Sequence, residues 1–157
     1  MQPFRSRCRV RGFSLIELLI VIAIILIILT IAVPKMNVAQ MNAREMAIIK
    51  EIQTINAAQT QYLSQFGKFA ASVAELGPPA SGGSGASAAG LIPGTLASGE
   101  KNGYTFVLAA SPSGYTLNVN PKIYNSTGRR TFYSDQDMII HQNWSAEPAN
   151  ASSPELR

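Results

Sequence analysis

Apolar residues fill the chain from Phe13 to Val33, and only Ser14, Glu17 and Thr30 interrupt them. At a rise of ~1.5 Å per residue this run spans ~31 Å as a helix, the thickness of a bilayer core. It is longer than the ~7–15 apolar residues of a secretory signal peptide, and no small-residue cleavage site lies between Val33 and Lys35. Residues 13–33 are therefore expected to form a transmembrane helix. Pro34 ends the run. Proline removes one helical hydrogen bond and clashes with the preceding turn, so a kink is expected there. The pattern then changes its period without ending the helix. Met41, Glu45, Ile48, Ile52, Ile55, Gln59, Tyr62 and Phe66 recur at intervals of three and four, with Lys50, Gln53 and Gln61 on the other face. That stripe marks an amphipathic helix over 34–66 that must dock on something, and Gly67 is a natural stop. One helix is expected from Phe13 to about Phe66, bent at Pro34.

Beyond Gly67 the periodicity disappears. Residues 67–100 include GPPASGGSGASAAG, and Gly77–Gly99 is dominated by Gly, Ala, Ser and Pro. Such a composition is expected to form a flexible loop unable to bury a core. Over 101–144 a period of two takes over. Tyr104–Ala110 and Tyr115–Asn120 flank a turn at 111–114, and Pro121 closes the second strand. Gly128 introduces Arg129–Tyr133, then a turn at SDQD, then Met138–His141. The fold expected is α+β: a long N-terminal helix whose amphipathic half packs on a small antiparallel sheet of three or four strands. Residues 145–157 are polar and proline-containing, a tail or an edge cover.

Charge changes the picture in one place. The chain carries 13 Lys+Arg against 9 Asp+Glu. Arg5, Arg7, Arg9 and Arg11 all precede Gly12, so beyond it nine cations face nine anions. The basic balance belongs to the first twelve residues, and nucleic acid is not indicated as a partner. Four arginines beside an apolar helix are the positive-inside signal, which holds residues 1–12 in the cytoplasm and sends the rest of the chain across the membrane.

The same border carries a sharper pattern. Gly12-Phe13-Ser14-Leu15-Ile16-Glu17, preceded by Arg11 and followed by the apolar helix, resembles the leader of type IV pilins and of the pseudopilins of type II secretion. The stretch GRRTFYSDQDMII is similar, less specifically, to the end of small bacterial pilin-like chains. The leader resemblance implies cleavage between Gly12 and Phe13 by a prepilin peptidase and N-methylation of Phe13 by the same enzyme. It implies a mature chain of 145 residues, the 157 less the leader. It also implies a homopolymeric helical filament built at an inner-membrane pilus assembly platform, with the subunit in the membrane beforehand. Glu17 would pair with the Phe13 amine of a neighbouring subunit, whereas the residues alone also allow a pair within one chain. A carboxylate costs several kcal/mol in the hydrocarbon region, and a filament would offer it a partner. The function implied is a pilus structural subunit. The alternatives are a pseudopilin or minor pilin and, from another class, a membrane-anchored binding module that never polymerises.

No chemistry competes with this reading. His141 has no nucleophile to serve. Asp135 and Asp137 lack the remaining calcium-loop ligands, and turn capping or pairing with Arg129 and Arg130 explains them better. No metal or cofactor and no enzymatic activity are expected. Cys8 is the sole cysteine and lies in the leader, so the mature chain would lack the disulfide found near the C-terminus of many type IV pilins. Sequons at Asn125, Asn143 and Asn150 are taken as chance occurrences. Met36–Gln61 contains no aromatic residue, which leaves stacked aromatics near a filament axis unsupported.

Overall fold

The structure is a computed structural model that describes residues 12–156. The arginines of the leader and Cys8 lie outside the described residues. The chain divides into two compact units, one through Asn37 and one from Val38 onward.

Helix α1, Leu15–Phe66, belongs to both units and runs through Pro34. It begins two residues later than expected, because Gly12, Phe13 and Ser14 precede the first helical turn in non-helical conformation. In the first unit the large apolar residues from Phe13 to Val33 are all exposed. Thr30 satisfies its hydroxyl internally by donating to the Ile27 carbonyl at 2.7 Å. Pro34 has no N–H to offer the Thr30 carbonyl, four residues back.

In the second unit the predicted stripe becomes the core face. Met41, Glu45, Ile48, Ile52, Ile55, Gln59 and Tyr62 are buried, and Phe66 is partly buried against the same cluster. Gly67 then turns the chain with φ of 70°, a conformation that glycine adopts without strain. Five strands follow: β1 Glu100–Lys101, β2 Tyr104–Ser111, β3 Gly114–Pro121, β4 Thr131–Asp135 and β5 Ile140–Asn143. They form one antiparallel meander in the order β1-β2-β3-β4-β5. The expected α+β architecture is present, with five strands where three or four were foreseen. The additional strand, β1, is two residues long, too short for an alternation of period two to reveal.

Tyr104, Phe106, Leu108, Leu117, Val119 and Phe132 of the sheet meet Ile48, Ile52, Ile55 and Tyr62 of α1 in the core. Phe106, Leu108, Leu117 and Val119 stand at alternate strand positions, so one sheet face takes them all. The hairpin closes at Ser111↔Gly114, where the turn was expected.

The Gly/Ala/Ser/Pro-rich segment departs from expectation. It contains helix α2, Val73–Leu76, and helix α3, Gly94–Ala97. Its backbone is laced to itself: Ala89 N–H donates to Glu75 O, Gly90 to Gly77 O, and Leu91 and Ile92 to Leu76 O. Ala89, Ile92 and Leu96 are buried. The expectation that this composition buries no core is therefore corrected. Small residues allow close backbone approach: a Cβ on Gly77 would collide with Ala97. A few apolar anchors then suffice to seat the segment on the core. The C-terminal residues are an edge cover. Gln142 N–H donates to Pro154 O and Leu156 N–H to Ile140 O, so 154–156 pair along β5.

Candidate functional site

Only Glu17 interrupts the apolar surface of the first helical turn with a charge, and its place is local chemistry. Leu18 N–H donates to Ser14 O at 3.2 Å, the first helical bond, which makes Ser14 the N-terminal cap residue. Glu17 stands three residues on, and its Oε2 accepts from the Ser14 N–H at 2.8 Å. This is the reach-back half of a capping box. A carboxylate there also meets the positive end of the helix dipole. The signal was present in the sequence as Ser14-x-x-Glu17, and the role of Ser14 was missed. Oε1 of Glu17 makes no hydrogen bond among the described residues.

The neighbouring positions are open. Phe13 is 90% exposed. Gly12 is exposed, and among the described residues a Cβ built on it meets nothing within 4 Å. No described residue crowds a side chain at this position. Gly12, Phe13 and Glu17 thus lie together at one accessible helix end, and Pro34 lies inside α1, well along the chain from them.

A second polar cluster joins helix to sheet in the folded unit. Glu45, 1% exposed, accepts from Arg129 N–H at 2.7 Å and Arg130 N–H at 3.2 Å through Oε1, and from Arg130 Nε at 2.7 Å through Oε2. Arg130 also donates to Gln142 Oε1 at 2.9 Å. Tyr104 donates to Arg130 O at 3.1 Å. Burial, reinforced by the Glu45 carboxylate, pushes the Tyr104 phenol above its ordinary range, so it remains a donor. Further along α1, Asn56 donates to Ser134 Oγ at 2.8 Å and accepts from Tyr115 OH at 3.0 Å. Gln59 exchanges two bonds with the Ala70 backbone at 2.9 and 3.0 Å. The stripe had placed Glu45 and Gln59 on the buried face but named no partners for them.

Glu45→Ala is expected to cost about 3–5 kcal/mol of stability, because it strands the Arg130 charge and two backbone donors in a desolvated site. Glu45→Gln keeps an acceptor and should cost less. Thermal or urea unfolding measures both. A Glu45→Ala chain that melts with wild type would show that the pair contributes nothing.

The remaining candidates behave as structural residues. Asp135 Oδ1 accepts from Asp137 N–H at 3.1 Å, capping the turn before β5. Arg130 pairs with Glu45 and not with these aspartates. The His141 ring bonds the Ser153 carbonyl through Nδ1 at 2.7 Å, at the edge where the C-terminal residues cross. Among the described residues no group of three or more His, Cys, Asp or Glu is placed to hold a metal ion.

A search of curated proteins finds no match to this chain. Residues 7–33 match the family model described as the prokaryotic N-terminal methylation motif, so the chain carries the type IV prepilin-type leader signature.

Proposed function

We propose that this chain is the structural subunit of a type IV pilus filament, cleaved between Gly12 and Phe13, methylated on Phe13 and polymerised through its N-terminal helix. One observation carries the reading. The methylation motif ends at residue 33, the last residue of an apolar helical stretch whose large side chains are all exposed. An uncovered apolar helix of this length is stable in a bilayer or against copies of itself, and not in water. Before assembly the subunit spans the inner membrane once, with residues 1–12 cytoplasmic and the folded unit periplasmic. After assembly it stands in an extracellular filament. The free Oε1 of Glu17 accepts from the methylated amine of a neighbour, which fixes the axial register of stacking. Pro34 supplies a weak point where α1 bends. The protein performs no catalysis, and its partners are its own copies, the peptidase and the assembly platform.

The test is intact-mass analysis of subunits sheared from cells. The expected subunit begins at Phe13 and is heavier by one methyl group. A membrane-anchored binding module would retain residues 1–12 and yield no filaments. Recovery of that form alone would overturn the proposal.

A further inference from the structure

The two edges of the sheet are finished differently. Along β5 the chain closes its own edge with residues 154–156. On the other side β1 pairs only with Tyr104 and Thr105 of β2. Phe106 N–H then donates to Gly99 O at 2.8 Å. Upstream of Gly99, whose φ is 76°, the chain leaves the edge as α3. Backbone groups of a strand point to its two sides in alternation, so Leu108 and Ala110 turn their N–H and C=O the same way as Phe106. Among the described residues these groups have no hydrogen-bond partner. Folded proteins blunt open edges with charges, prolines or bulges. Val107–Ser111 carries no charge and no proline, and its pairing with β3 is regular through Ser111.

The open edge lies in a groove. Beside Phe106–Leu108 a recess of about 280 Å³ is walled by Val73 and Ala74 of α2 and Ala97 of α3. Beside Ala110–Pro112 a second recess, of about 350 Å³, is walled by Leu63, Lys68 and Phe69. An edge set between walls takes a single strand, whereas the broad edge of another sheet would meet α2 and α3. Lys68 is the one charged residue in either wall, and among the described residues it makes no ion pair.

We propose that β2 is a docking edge for an extended peptide segment of a partner protein. The segment adds antiparallel to β2 at Leu108 and Ala110, in the sense already set by β1. Its alternate side chains, small and apolar, fill the two recesses, and an acidic residue near its N-terminal end meets Lys68. Main-chain hydrogen bonds then give affinity, and the recesses and the lysine give specificity. The edge lies wholly within the folded unit, so it requires neither the membrane span nor polymerisation.

The probe is a peptide of sequence Asp-Asp-Val-Thr-Val-Thr with a fluorophore at its C-terminus. It is titrated with the full chain in detergent micelles and followed by fluorescence anisotropy. Saturable binding is expected, and N-methylation of alternate peptide nitrogens should abolish it. Ala110→Pro, at an exposed edge position, removes an outward N–H and should weaken binding about tenfold or more. A thermal melt checks its fold, and if that variant melts early the methylated peptide decides alone. Lys68→Glu should weaken binding about fivefold and should bind Lys-Lys-Val-Thr-Val-Thr better than the acidic probe. No saturable binding by wild type overturns the proposal, and so does equal binding of the methylated peptide. Unchanged affinity in Lys68→Glu overturns the acidic occupant. A dimer that Ala110→Pro dissolves, with no peptide bound, overturns the peptide in favour of a second copy.

Discussion

Glu17→Ala should enter the membrane and be cleaved as well as wild type, or better, while filament growth nearly ceases. The change removes a charge that is costly in lipid. If the proposed intersubunit pair forms, it also leaves a cationic terminus unpaired in an apolar filament interior, a loss of about 3–5 kcal/mol for one member of a buried pair. That loss recurs at every subunit added. The geometry at the helix start sharpens the series. Glu17 also accepts from the Ser14 N–H, so Ala removes a cap together with a charge. Glutamine at the same position keeps the capping acceptor and drops the charge. Glu17→Gln should therefore fail almost as badly as Ala if intersubunit pairing is the role, and assemble normally if capping is. Glu17→Asp keeps the charge on a shorter arm and should be partly competent. Sheared filament yield is the readout, with cleaved subunit in the membrane measured beside it. Normal yield from the Ala variant would sink the pairing outright.

Gly12→Glu is expected to abolish maturation, leaving full-length subunit in the membrane and no filaments. A peptidase working at the membrane border needs a small residue before the scissile bond, and a carboxylate there is neither small nor neutral. The structure removes the competing explanation. Among the described residues nothing lies within 4 Å of a Cβ built on Gly12, so a side chain at this position meets no described neighbour. Gly12→Ala should accordingly fold and be cleaved. Immunoblots for the loss of residues 1–12 compare the two variants. Filaments from Gly12→Glu cells built of subunits that begin at Met1 would refute the cleavage requirement.

Much of the architecture was legible because it rests on period. Intervals of three and four placed Met41 through Tyr62 on the buried face, and alternation of two found the hairpin around Pro112–Ser113. Features that depend on partners distant in the chain were hidden. Glu45 and Arg130 are 85 residues apart, and no local pattern ties a carboxylate on a helix to backbone donors at the start of a strand. The segment after α2 was misjudged for a related reason. Its composition reports an average, whereas its packing depends on Ala89, Ile92 and Leu96 and on glycines that let backbones touch. The helix start was readable on both counts, since the leader pattern and the capping pattern share Ser14 and Glu17, yet only the first was recognised.

Three polar stations along α1 also have a mechanical meaning. Glu45 and Asn56 hold the helix to the sheet, and Gln59 holds it to the chain leaving its end. Apolar contacts tolerate sliding, because one isoleucine serves much like the next. Directional bonds do not: a slip of one residue moves each station ~1.5 Å and turns it by ~100°. A pull along α1 against the sheet therefore strains the Glu45 and Asn56 bonds directly, while the Gln59 bonds keep the helix end tied to the chain that follows it. The register of helix on sheet is thereby held at two directional points besides the apolar face.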